Sequence, residues 1–458
     1  ELKVMWFFLG VLYLICGGIY LYREIKFIKR ENDLLLVSYA RLIYCLTFGV
    51  VPALLCFMYA FQGIEVKLKT LVAVSYSTDG LIDLYIFWLL SVIGYIALNV
   101  GYRKKYRLKI RNHYLLKADT YEMSELQSFV LALVCLIIGV VSLYLWTKNE
   151  GNIFNFIVKA NWYRADYTNS QNNTYAMFKQ PAKLVQVSTY LFFFYLIQNK
   201  CKHKILFLVG YIAAFVSSVL YLLCTDGRLA IALFFGMQLL GIVLYRSPDI
   251  KITKKQIYII AIIAVTALIL ISKLDDITYF IRYGHFNTAA IKDEGNSYIT
   301  IMNEFGYIYE SGQMSIEHNI FSSGRWMILD DIVRGIFSCF PSRFTPNGFE
   351  RVWRWNTYLC TGSTLAGTIP CDIISESIYD LGLLGPVIIP YFWGKLMKWI
   401  EVYFSEKKSV AFNRACYTCL ALAFFRIINY CELYDFTRGL FAFLIMWLLS
   451  RFIRKVSF

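Results

Sequence analysis

The chain has 458 residues, of which 58% are apolar, 18% aromatic and 17% charged, with a formal net charge of +15. A water-soluble globule cannot hide so large an apolar fraction, and with a mean hydropathy of +0.52 the class is integral membrane. The basic residues sit in short loops between apolar segments, which membrane topology and anionic lipid explain and which argues against nucleic acid as a partner.

Taken in chain order, the apolar runs predict about eleven spans, near 4–22, 36–61, 81–101, 127–147, 183–199, 205–224, 229–245, 257–272, 380–400, 410–429 and 436–453. The first is expected to be a retained span, because a basic cluster follows it and no small-residue cleavage site does. Lys and Arg crowd every odd-numbered exit: Arg23 to Arg30, Arg103 to Arg111, Lys200 to Lys204, Arg246 to Lys255, Lys407 and Lys408, and Arg451 to Lys455. Those loops are therefore expected in the cytoplasm. The outward segments are then 62–80, 148–182, 225–228, 273–379 and 430–435, within one membrane domain over 1–458.

The loop at 273–379 is far longer than folding of a helix bundle requires, and it is rich in Trp, Tyr, Arg and Asp. Within it 330–337 and 369–379 read as helices, and Pro341, Pro346, Gly348 and Gly362 as breaks. Trp326, Trp353 and Trp355 suit a headgroup-level surface or the face of a sugar ring. Most cysteines lie inside apolar runs, Cys416 and Cys419 among them, and behave there as small hydrophobes. Cys339, Cys360 and Cys371 lie in the loop, where pairing stays open.

Four places could carry chemistry. Thr225-Asp226-Gly227-Arg228 joins two spans, and Arg228 opens a helix whose free amides favour an anion, although a simple turn is the competing reading. In Ser323-Gly324-Arg325-Trp326 the guanidinium offers a planar fork to phosphate, with Arg282 and Arg343 adding charge, whereas Arg334, Arg351 and Arg354 read as solvated surface charges. Asp372 and Glu376 are four apart on one helix face, as a general base would require or as ordinary capping and solvation would leave them. His285 and His318 are the outward histidines and further base candidates. No HExxH, Walker A or GxGxxG pattern occurs.

The order of these motifs resembles the O-antigen and capsule repeat-unit polymerases (Wzy type) and, more distantly, the O-antigen ligases. The pattern is Gly227-Arg228 between two spans, then a large external loop with Asn303-Glu304-Phe305-Gly306 and Gly324-Arg325-Trp326. A Phe340-Pro341-Ser342 break follows, then Ile369-Pro370 and Gly382-Leu383-Leu384-Gly385 entering a late span. The resemblance covers residues 200–400 by motif and the whole chain by topology. It implies an all-α polytopic fold like the second group of GT-C enzymes, in a bacterial cytoplasmic membrane. It also implies transfer of a growing glycan from undecaprenyl pyrophosphate onto a new lipid-linked repeat unit.

That reading implies pyrophosphate contacts from Arg228, Arg325, Arg282 and Arg343, and glycan contacts from Trp162, Tyr163, Arg164, Glu304 and Trp326. The base would come from Asp372, Glu376, His285 or His318, and no metal or other cofactor is expected. A chain-length regulator and a flippase would be partners. Ligases place a histidine where this chain has Cys371, which favours polymerase over ligase. A repeat-unit flippase would show internal repeats, and none is visible. A non-catalytic scaffold would give no reason for outward arginines at two helix starts.

Overall fold

The computed structural model describes residues 1–31, 35–62, 77–103, 123–165, 175–197, 202–225, 228–244, 280, 306–338, 340, 344, 346–363, 369–404 and 411–455, and every regular element among them is helical. The helices are α1 (Leu2–Glu31), α2 (Leu36–Cys45), α3 (Val51–Gln62), α4 (Thr78–Arg103), α5 (Glu125–Thr147), α6 (Ile153–Ala165), α7 (Leu184–Ile197), α8 (Lys204–Thr225) and α9 (Arg228–Leu244). They continue with α10 (Tyr307–Glu317), α11 (Ile328–Phe337), α12 (Val352–Thr361), α13 (Ile373–Leu381), α14 (Gly385–Phe404), α15 (Ala411–Ile427) and α16 (Leu433–Lys455).

Seven segments among the described residues are long and apolar enough to cross a membrane: Leu2–Glu31, Leu36–Phe61, Thr78–Arg103, Glu125–Glu150, Lys204–Thr225, Ile373–Tyr403 and Leu433–Lys455. The protein is thus an all-α, multi-helix chain of polytopic membrane character. Helices α7, α9 and α15 fall where further spans are expected but measure 14, 17 and 17 residues. The span expected at 257–272 lies outside the described residues.

The chain divides into two compact units. Glu1–Lys104, Ala289–Val402 and Ala423–Thr437 make the first; Lys105–Thr288, Tyr403–Leu422 and Arg438–Phe458 make the second.

In the first unit α2 and α3 form one rod, joined by a π-helical turn over Leu46–Val50 in which Phe48 leaves helical geometry. Glycine lets the rods touch. A Cβ on Gly17 would stand 3.1 Å from the Cα of Gly49. On α4 and α14 the fit is reciprocal: a Cβ on Gly101 would meet the Tyr391 carbonyl at 2.1 Å, and one on Gly394 the Leu98 carbonyl at 2.1 Å. Packing of this kind suits apolar surroundings, where close backbone contact replaces the hydrophobic drive between helices.

Helix α10 lies in the stretch 273–379 expected as a loop, yet all its residues from Tyr307 to Ile316 are buried. Tyr309 anchors it, donating to the Pro52 carbonyl at 2.6 Å and meeting the Cys56 sulfur at 2.8 Å. Trp6 and Tyr13 set their rings edge-on to it. Part of that stretch therefore forms the core of this unit. Trp353, expected at a surface, is buried too, with its ring against Tyr430.

In the second unit α5 opens on a capping box in which Ser124 and Gln127 exchange side-chain-to-backbone hydrogen bonds. The Glu125 carboxylate receives the Lys202 and His203 amides, which ties the start of α8 to the start of α5. Ser188 on α7 donates to the Ala132 carbonyl of α5 at 2.7 Å, and Thr189 meets Ser218 of α8 at 2.9 Å. Cys360 and Cys371 are free thiols, as are Cys416 and Cys419; Cys339 lies outside the described residues.

Candidate functional site

The site is built where α11, α12, α13 and the start of α16 meet in the first unit. Helix α11 carries Asp330 and Asp331 in its first turn, where the free amides and the helix dipole favour negative charge. Asp330 accepts from Arg325 at 2.7 Å and from the Glu350 amide at 3.1 Å. Asp331 faces the other way and receives the Leu433 amide on both oxygens, at 3.0 and 3.1 Å, so it caps the first turn of α16.

Helix α13 begins at Asp372. One carboxylate oxygen accepts the Ile374 and Ser375 amides at 2.8 and 3.0 Å, and the other accepts the Ser375 hydroxyl at 2.6 Å. One turn later comes Glu376, and one more turn brings Asp380 onto the same face. The helix stops at Gly382, which takes a φ of +62°, and a single 3-10 turn leads into α14. The late span expected at 380–400 is thus a broken helix over Ile373–Tyr403 that starts earlier and carries its carboxylates on the short first piece.

Asp331, Glu376 and Asp380 converge. All three are buried, and each offers a carboxylate oxygen within 4.8 Å of the other two. Both oxygens of Glu376 and Oδ1 of Asp380 are buried without a hydrogen-bond partner. Beside them Glu432, with 0% of its side chain exposed, is held by Arg351 through Nε at 3.0 Å and Nη2 at 2.5 Å. The guanidinium also lies 4.1 Å from the Tyr434 ring centre and 5.4 Å from that of Trp353.

Burial pushes the Asp331 carboxyl well above the usual carboxylate range, with the Glu432 charge adding to it; the amides of the α16 start and Arg351 pull the other way. Burial also raises Asp372, to about 6, against the downward pull of its hydrogen bonds to Ser375 and Ile374. Carboxylates this close and this dry cannot all stay ionised unless a cation joins them; otherwise at least one keeps its proton. The arrangement can therefore hold a proton or a cation.

Of the residues picked from sequence, Glu376 is in this cluster and Arg325 reaches its rim through Asp330. Arg325 is about one-third exposed and lies 5.1 Å from the Trp355 ring centre, while Trp326 points outward at 57% exposure. Asp372 shares the helix with Glu376, but its carboxylate is drawn back onto the helix start. His318 sits at the exposed end of α10, 3.9 Å from Glu317. Arg228 is the first residue of α9, and Trp162, Tyr163 and Arg164 lie in the last turn of α6; their side chains are outside the described residues. His285, Arg282, Arg343 and Glu304 lie outside them altogether.

Arg351 corrects the sequence reading: it is no solvated charge but the buried partner of Glu432. Arg334, read the same way, donates to the Phe349 carbonyl from Nε at 2.8 Å. Asp331, Asp380 and Glu432 were not singled out. A signal existed for two of them: Asp380 stands four residues after Glu376 in an otherwise apolar stretch, and Glu432 stands between two apolar segments, where a bare charge is costly.

Compared with protein-family models, curated proteins and solved structures, the chain matches none.

Proposed function

We propose that this chain is a membrane-embedded glycosyltransferase that polymerises oligosaccharide repeat units carried on undecaprenyl pyrophosphate. The proposed setting is a bacterial cytoplasmic membrane, with about eleven spans in a GT-C-like bundle of the second group and the 273–379 insertion outside. The observation that carries the reading is Arg325. This insertion arginine is partly open to solvent beside an exposed Trp326, and its partner Asp330 is chain neighbour to the buried carboxylate cluster.

In this reading Arg325 and Arg228 hold the pyrophosphate of the donor, with Arg282 and Arg343 adding charge. An acceptor sugar hydroxyl attacks the anomeric carbon; the bond to the phosphate oxygen breaks, and its electron pair leaves with the lipid pyrophosphate. Guanidinium groups stabilise the charge that grows there. The hydroxyl proton passes to a carboxylate, and Glu376 suits that role because its oxygens have no hydrogen-bond partner, whereas those of Asp372 cap α13. Trp326, Glu304 and the Trp162-Tyr163-Arg164 segment hold glycan. Cys371, buried where a ligase histidine would stand, favours polymerase over ligase.

The test is reconstitution with a synthetic lipid-pyrophosphate-linked repeat unit as the only substrate. A ladder of lengthening products is expected. Products that require a separate acceptor lipid would replace the reading with a ligase. Transbilayer movement without new glycosidic bonds would replace it with a flippase.

A further inference from the structure

Two helices and the short segment before a third deliver acidic side chains to a single buried point. Asp331 comes from α11, Glu376 and Asp380 come from α13, and Glu432 stands just before α16. Arg351 is committed to Glu432 by two hydrogen bonds and also reaches Asp435 at 4.0 Å. Asp331 already takes the Leu433 amide. Glu376 is the exception: it is 1% exposed, lies between two other carboxylates, and no donor meets either of its oxygens. An ionised group in that position is costly without a counter-charge.

The geometry points to a divalent metal site formed by Asp331, Glu376 and Asp380, for a hard, oxygen-seeking cation of the calcium, manganese or magnesium class. Oxygens on opposite sides of calcium stand about 4.6–5.2 Å apart, and those on opposite sides of magnesium about 4.0–4.2 Å apart, given their usual bond lengths. The three ligand oxygens here lie within 4.8 Å of one another, inside the span that the ligands of one calcium-sized ion cover. Three carboxylates from two helices leave coordination positions for water or a substrate oxygen. Because Glu376 has two oxygens without partners, one can bind the ion while the other remains available. The site departs from the metal-free expectation of the sequence and does not rest on the transferase reading.

The test uses the full chain, purified in detergent and stripped with a chelator, without any glycan substrate. Manganese is titrated and followed by its electron paramagnetic resonance signal, with calcium and magnesium as competitors. Saturable binding is expected, with a dissociation constant at or below roughly 10⁻⁴–10⁻³ M. Glu376→Gln and Asp380→Asn should each weaken it at least about tenfold while keeping the wild-type near-ultraviolet dichroism in chelator. Should either amide variant fail to fold, Asp380→Glu, which keeps the charge and moves the ligand by one methylene, must still shift the affinity. No saturable binding by the wild type would overturn the site. Equal binding by wild type and variants would place the ion elsewhere and overturn it as well. Amide variants that gain thermal stability, with no response to metal in any form, would mean that protons and not a cation neutralise the cluster.

Discussion

Arg351 and Glu432, 81 residues apart, meet in a buried two-point ion pair that ties the start of α12 to the start of α16. Next to it Asp331 holds the first amide of α16, so two different carboxyl contacts fix where that helix begins. The position of the acidic cluster depends on these ties.

Removing one partner of such a pair leaves the other buried and unneutralised. Arg351→Ala is expected to cost about 3–5 kcal/mol, because the Glu432 carboxylate would be stranded. Pairing Arg351→Met with Glu432→Leu should cost clearly less than Arg351→Ala. Thermal melts of these two variants and of the single Arg351→Met and Glu432→Leu changes in detergent check this; additive losses from the two single changes would refute the coupling.

Asp372 sets a pH dependence whose sign follows from its burial. Its folded pKa, about 6, lies above the unfolded value of 3.8. Between these values the folded state holds more protons than the unfolded state, so stability falls as pH rises through that window and is level above it. The loss across the window amounts to about 3 kcal/mol, since a tenfold difference in proton affinity is worth about 1.4 kcal/mol. Asp372→Asn keeps an oxygen for the Ile374 and Ser375 amides and should flatten this part of the profile. Melting temperature against pH from 4 to 7, read as the difference between wild type and variant, measures it. Parallel curves would contradict it.

The glycine contact between α4 and α14 leaves no room for a side chain. A Cβ at Gly101 or Gly394 would stand 2.1 Å from a backbone carbonyl that cannot swing aside. Gly101→Val and Gly394→Val should each lower stability by about 3 kcal/mol or more, at or beyond the top of the ordinary overpacking range. Gly236→Val, at a glycine with no atom near its Cβ position, is the control. Detergent melts decide between them.

If the proposed transfer chemistry holds, Arg325→Ala should cut turnover about 10²–10³-fold, in line with loss of one charge-stabilising donor. Arg325→Lys should recover part of this, since charge survives and the planar fork does not. The initial rate of ladder formation is the readout. Because Arg325 is only partly exposed and pairs with the buried Asp330, the melting temperature is measured beside the rate, and the loss of turnover should exceed any loss of folded protein.

Much of the architecture was legible in the chain. Long apolar runs marked the seven described segments that are long and apolar enough to cross a membrane, because each residue of such a segment must meet lipid or other apolar surface, and hydropathy reads that directly. A helix was legible at 330–337, where the structure has Ile328–Phe337, and another at 369–379, where α13 runs Ile373–Leu381 behind its cap Asp372. Burial within the expected loop was not. Tyr307–Glu317 contains Glu310, Ser311, Gln313 and Ser315, polar enough to suggest a surface, yet all four are buried.

Sequence by itself carried the composition and apolar runs of a polytopic membrane protein, and showed that carboxylates and arginines are concentrated between residues 273 and 379. Both follow from composition and order along the chain. Only the tertiary structure decided which charges meet. Asp331, Glu376 and Asp380 come together, with Arg351 against Glu432, because α11, α12 and α13 and the start of α16 pack at one point. Partners separated by tens of residues leave no mark on local pattern, and burial, which gives a charge its cost and its chemistry, belongs to the packed chain alone.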